Sequence, residues 1–165
     1  MKNIAKILPV LLFLFLSSLI FSQEKQQLKL LFAGDIMGHD SQIVSAKMQG
    51  EGRYDYADCF LRMEPFISSA DIAIGNLEVT LAGPPYKGYP AFSSPDELAR
   101  ELKKVGFDIM VHANNHAIDR RRKGLERTLL VLDSIEMIHS GVFRDAEQRA
   151  RYYHLRLDTN GLRIR

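Results

Sequence analysis

The chain has 165 residues, enough for one domain or most of one, with 46% hydrophobic and 25% charged residues, as in an ordinary globular protein. Its net charge of +2 gives no preference for nucleic acid or another acidic polymer. The single cysteine, Cys59, excludes an intrachain disulfide framework and reads as a small buried hydrophobe.

Lys2 and Lys6 precede an apolar stretch from Ile7 to Phe21, interrupted only by Pro9 and two serines. That pattern is a signal peptide's, and it is short for a membrane span. Cleavage is expected near Ser22, with an uncleaved anchor as the alternative. No cysteine lies at this boundary, which argues against a lipoprotein anchor. The expected organisation is therefore a signal peptide over 1–22 and a domain over 23–165. The expected location is exported: periplasm, cell surface or membrane-anchored.

Leu28 to Ala33 forms a compact apolar strand ending at Gly34-Asp35. Tyr54 to Ser69 has helical spacing, with Pro65 restarting or kinking the helix. Asp71 to Gly75 is a second strand ending at Asn76, and residues 82–92 form a Gly/Pro loop. Ser94-Pro95-Asp96-Glu97 predicts a helix start, with Ser94 as N-cap and Glu97 closing a capping box. Gly106 stops that helix, and Phe107 to Val111 is the third strand. Gly124 to Ile135 is an amphipathic helix and Met137 to His139 a fourth strand. Tyr152 to Leu157 and the residues from Leu162 flank Asn160-Gly161, a hairpin signal. Strands alternating with helices imply an α/β sheet. The chain stops at Arg165, inside the hairpin's second strand, so a domain truncated at its C-terminus is expected.

Three strand ends carry the chemistry. Asp35 can ligate a divalent cation or simply cap a turn. Asn76 and Glu78 flank Leu77 and share one face of an extended segment. They suit a metal or a solvated turn. Asn114-Asn115-His116 follows the third strand, where open α/β sheets place ligands. Carboxylate, amide oxygen and imidazole suit Mn²⁺, Mg²⁺, Fe or Zn²⁺. The Arg120-Arg121-Arg122-Lys123 run fits either an anionic-polymer contact through Arg120 and Arg121 or a solvated helix start. The aromatic loop with Tyr86, Tyr89 and Phe92 fits either a groove border or a packed loop.

The segments Leu31-Phe32-Ala33-Gly34-Asp35-Ile36-Met37, Ala70 to Glu78, and Gly106 to Asp119 with its Ala113-Asn114-Asn115-His116 core resemble the CapA family. So do Tyr86 to Pro95 and Gly124 to Leu129. These are bacterial capsule or poly-γ-glutamate synthesis proteins, similar to calcineurin-like metallophosphoesterases. The resemblance covers roughly residues 28–165. It implies the N-terminal part of a metallophosphoesterase-like α/β sandwich, acting in capsule or poly-γ-glutamate production or attachment.

In this resemblance Asp35, Glu78 and Asn115 look like metal ligands, with Asn76 and His39 as weaker candidates. His116 looks like the catalytic histidine that protonates the leaving group or steadies the phosphoryl. Two ions about 3.5–4 Å apart would activate water in such a site. The phosphoesterase histidine two residues after the first aspartate is Met37 here. The superfamily's later histidines would lie beyond Arg165, so this chain alone is expected to bind metal poorly and to be inactive. The implied partners are an anionic capsule polymer such as poly-γ-glutamate and a membrane synthase complex, with no nucleic acid. The alternative is a non-catalytic envelope component that binds the polymer or scaffolds its synthase.

Overall fold

A computed structural model describes residues 27–152 apart from 49 and 51, together with 157–159 and 162–164. The expected signal peptide, residues 1–22, lies outside the described residues. Among the described residues, no helix is long and apolar enough to cross a membrane.

Four parallel strands form the centre in the order β1 (Leu30–Ile36), β2 (Ile72–Leu77), β3 (Ile109–Val111) and β4 (Ile138–Ser140). This is the expected α/β architecture. The strands alternate with helices α1 (Asp40–Ala46), α2 (Ala57–Phe60), α3 (Glu64–Ile67), α4 (Asp96–Lys104) and α5 (Arg121–Ser134). α6 (Ala146–Tyr152) precedes an antiparallel hairpin of β5 (Leu157–Thr159) and β6 (Leu162–Ile164), which bears out the hairpin but not the bounds of its first strand: Tyr152 ends α6, and Asp158 and Thr159 pair with β6. Sequential parallel strands joined by right-handed crossovers carry their connections on one face of the sheet. The core accordingly gathers Ala73, Leu77 and Met110 from the strands with Leu98, Ala99 and Leu102 of α4 and Val131 and Leu132 of α5. The opposite face carries a cross-strand row, Phe32–Ile74–Ile109–Ile138. Ile109 is buried in that row, whereas Phe32 at its edge is 70% exposed.

The first two strands run further than their hydrophobic stretches suggest. β1 continues through Gly34-Asp35 to Ile36, with its register shifted between Phe32 and Asp35. β2 continues through Asn76 to Leu77, and Asp35 pairs directly with Asn76. The polar residues are therefore part of the sheet, because backbone pairing does not depend on side-chain polarity. A bulge re-aims the side chains beyond it.

Pro65 restarts the helix, as expected, so residues 54–69 hold two short helices, α2 and α3. Other departures have local causes. The predicted capping box at Ser94 is not formed. Pro95 is the N-cap, with no side-chain cap bond. Ser94 is buried against Gly38, its N–H bonded to the Thr80 carbonyl, so its side chain is not turned back to the helix. Asp96 and Glu97 still place negative charge at the helix start, where the dipole favours it. Gly106, at φ 105°, ends α4 with its N–H on Lys103 O and that of Phe107 on Leu102 O. Cys59 is exposed, contrary to expectation, because the short α2 buries none of its residues.

Candidate functional site

The C-terminal ends of β1, β2 and β3 bring four side chains of the sequence motifs together, with the His116 backbone bonded to them. The Asn76 amide donates to Asp35 Oδ1 at 2.8 Å and to Glu78 Oε2 at 2.9 Å. Asn114 Nδ2 donates to Asn76 Oδ1 at 3.0 Å and to the Leu77 carbonyl at 2.9 Å. Asn114 Oδ1 in turn accepts the His116 N–H at 3.1 Å. Parallel pairing in register explains the convergence, since Asp35, Asn76 and Val111 are successive cross-strand partners.

Glu78 shows the electrostatic consequence. Its carboxyl is pushed above the ordinary glutamate range, first by burial and then by its hydrogen-bonding contact with Asp35 and that group's charge. His116 and the Asn76 amide act in the opposite direction.

His116 is itself held from several sides. Its Nδ1–H donates to Asp119 Oδ2 at 2.8 Å, and both side chains are about nine-tenths covered. The same Asp119 oxygen accepts the Phe92 N–H at 2.8 Å. The Phe92 ring meets the His116 ring edge-on, with centroids 4.7 Å apart. Tyr89 lies 6.3 Å from that ring and is 66% exposed. The Gly/Pro loop thus borders the histidine through Tyr89 and is also a packed loop through Phe92, which is fully buried. With Nδ1 committed to Asp119, the other ring nitrogen, Nε2, is the one available for proton transfer.

The remaining candidates sit elsewhere. Asn115 is exposed, and it is its neighbour Asn114 that enters the network. His39 caps α1 through its backbone and meets Phe92 edge-on at 5.3 Å. Arg120 donates to the Pro85 carbonyl at 3.2 Å, and Arg121 is exposed at a positive φ of 56°. Arg122 pairs with Glu126 at 2.7 Å one turn along the helix.

Two positioning groups were not singled out from sequence. Asp119 lies three residues after His116, a spacing that meets across one helical turn, so the signal was present. His112 is fully buried, and its Nδ1–H donates to the Leu77 carbonyl at 2.6 Å. That carbonyl also receives Asn114, so His112 and Asn114 together fasten β3 to β2 between Asn76 and Glu78. Nothing in an apolar strand marks a histidine for this role.

Among the described residues, no group of three or more His, Cys, Asp or Glu side chains is placed to hold a metal ion. The donor chemistry nevertheless fits a hard cation. Two carboxylates, Asp35 and Glu78, lie in contact, and their mutual repulsion raises Glu78's proton affinity. A divalent ion would relieve that repulsion, whereas Asn76 turns its NH₂ to both carboxylates and the Asn114 oxygen is taken up by the His116 N–H.

A parallel α/β sheet with polar residues gathered at its strand ends defines the class: an α/β domain, consistent with the metallophosphoesterase-like design that the sequence resemblance implies. Residues 29–165 match the family described as bacterial capsule synthesis protein PGA_cap, and the chain belongs to that family. It is similar to the capsule biosynthesis protein CapA of Bacillus anthracis, with 26% identity over 136 residues, 76% of this chain and 31% of that protein. It is also similar to the uncharacterized proteins y4sH and y4uA of Sinorhizobium fredii. Each is 35% identical over 107 residues, 59% of this chain and 22% of the relative. The chain thus matches between about a fifth and a third of the length of these relatives.

Proposed function

We propose that this capsule-synthesis domain is exported and contributes a metal-dependent phosphoester hydrolysis to the production or attachment of an anionic envelope polymer. Poly-γ-glutamate is one such polymer. The observation that carries the reading is the Asp35–Asn76–Glu78–Asn114 network adjoining the His116–Asp119 pair.

Asp35 and Glu78 would hold the cation, with the exposed Asn115 as a candidate amide oxygen and Asn76 and Asn114 positioning the two carboxylates. When bound, such an ion polarises a phosphoryl oxygen and activates water. Mn²⁺, Mg²⁺, Fe and Zn²⁺ all suit this donor set.

The chain's own residues supply orientation and proton handling. Asp119 fixes the His116 ring and its tautomer, and Phe92 limits rotation by packing against it. A protonated Nε2 can then donate to a departing oxygen, the usual role of a positioned histidine. Asn114 binds the His116 backbone as well as β2, so the acid and the carboxylates share one rigid frame. The exposed cations Arg121 and Lys123 suit an anionic polymer close by.

Hydrolysis of bis-p-nitrophenyl phosphate by the full-length protein with Mn²⁺ tests this directly. His116→Ala is expected to lower kcat by about 10²–10⁴. No turnover, with no metal found by elemental analysis of the folded protein, would refute the enzymatic reading.

A second reading draws support from Met37, a poor ligand for hard metals at the position of the phosphoesterase histidine. On that reading the protein is a non-catalytic envelope component that binds polymer or scaffolds a membrane synthase. Polymer retention unaffected by Asn115→Ala and His116→Ala would favour it.

A further inference from the structure

His116 is nearly enclosed, yet a tenth of its side-chain surface stays open. Three side chains border its ring. Asp119 holds Nδ1 and is itself about nine-tenths covered, and Phe92 is fully buried. Tyr89 is the third, its ring centroid 6.3 Å from the imidazole at an interplanar angle of 72°. Of these three, Tyr89 alone offers surface to an incoming molecule. Ile118, in the turn between His116 and Asp119, adds a second exposed apolar side chain.

The loop that carries Tyr89 is closed and anchored. Lys87 and Ser93 exchange backbone hydrogen bonds at 3.0 and 2.8 Å. Inside that bridge the Gly88 N–H is fixed on Asp40 and the Phe92 N–H on Asp119. The Phe92 carbonyl accepts the Thr80 hydroxyl at 2.6 Å. Tyr89 thus sits on a backbone held at both sides, although its own ring buries little surface. An aromatic side chain positioned beforehand binds a ring at a reduced ordering cost, and aromatic pairs gain beyond the area they bury.

Distances fix which part of a substrate arrives there. With Nδ1 on Asp119, a leaving oxygen accepts from Nε2 at about 2.8 Å. A ring carried by that oxygen, directly or through one carbon, spans the remaining gap to a neighbour 6.3 Å from the imidazole. The narrow opening at His116 admits a flat ring more readily than a puckered one.

We propose that Tyr89 is a specificity-determining residue, a stacking platform for a leaving group that carries a planar ring next to the scissile oxygen. It rests on the phosphoester reading above. The P–O bond to the ring-bearing group breaks, its oxygen takes the proton from His116, and the oxygen of water bonds to phosphorus.

Two phosphonates, in which carbon replaces the leaving oxygen, test this by calorimetric titration of the full-length protein with Mn²⁺ present. Benzylphosphonate and cyclohexylmethylphosphonate have the same carbon count and differ in the flatness of the ring. Benzylphosphonate is expected to bind with a Kd about fivefold lower. Tyr89→Leu should abolish that preference and Tyr89→Phe retain it, both with the wild-type melting temperature, because the side chain is largely exposed. Equal affinities in the wild type, a preference that persists in Tyr89→Leu, or no binding of either phosphonate would overturn the platform.

Turnover of bis-p-nitrophenyl phosphate separates the two proposals. Turnover without a benzyl preference overturns the platform and leaves the phosphoester reading standing. A benzyl preference that depends on Tyr89, in a protein without turnover, supports the platform and counts against hydrolysis alone.

Discussion

Asp119 holds together two parts of the molecule that are 27 residues apart in sequence. One carboxylate oxygen receives the Phe92 backbone and the His116 ring. Asp119→Ala leaves both donors without this partner in a nearly closed setting, and a stability loss of about 1–3 kcal/mol in urea unfolding is expected. His112 is sensitive in a different way. Burial draws its pKa below the ordinary 6.5, so the folded state keeps the ring neutral while the unfolded chain takes up a proton. The unfolded state therefore binds more protons just below that value, and stability falls as pH drops through 6.5 towards the lowered folded pKa. Melting temperatures across this window should show the decline in the wild type and a flatter profile in His112→Gln.

At the scale of elements, the site depends on how loops seat against strands. The loop containing Gly88 lies on the start of α1, where the Gly88 N–H donates to Asp40 Oδ1 at 2.6 Å. A Cβ at Gly88 would meet the Asp40 nitrogen at 2.6 Å and His39 Cα at 3.0 Å, both backbone atoms with little freedom to move. Gly88→Ala is expected to cost about 1–3 kcal/mol and to loosen the Phe92 contact with His116, readable as faster amide exchange at Phe92.

The strands and long helices were legible because apolar periodicity follows burial, as in Leu98, Ala99 and Leu102 of α4. Helix α1 was not legible, since only Ile43 and Ala46 in it are buried. The capping box at Ser94 failed for the same reason in reverse: tertiary burial took a side chain that local pattern assigned to a cap. The three polar strand ends were visible in sequence, but which asparagine enters the network depends on how the chain turns after Val111.

For the whole molecule, the sheet sets both the site and its exposed apolar surface. The cross-strand row ends in Phe32, which faces solvent on an edge strand, a place where exposed apolar groups promote association. Phe32→Thr keeps strand propensity and should reduce self-association in sedimentation measurements while leaving cooperative unfolding intact. The same parallel register that exposes Phe32 carries Asp35 and Asn76 side by side at the other end of β1 and β2. The most direct test of this strand-end arrangement as a divalent-cation site is a calorimetric Mn²⁺ titration of the full-length protein against its Glu78→Gln variant. Saturable Mn²⁺ binding in the wild type, weakened at least about tenfold in a folded Glu78→Gln, is the expected result. Equal affinity in the two proteins, or no binding by the folded wild type, would contradict it.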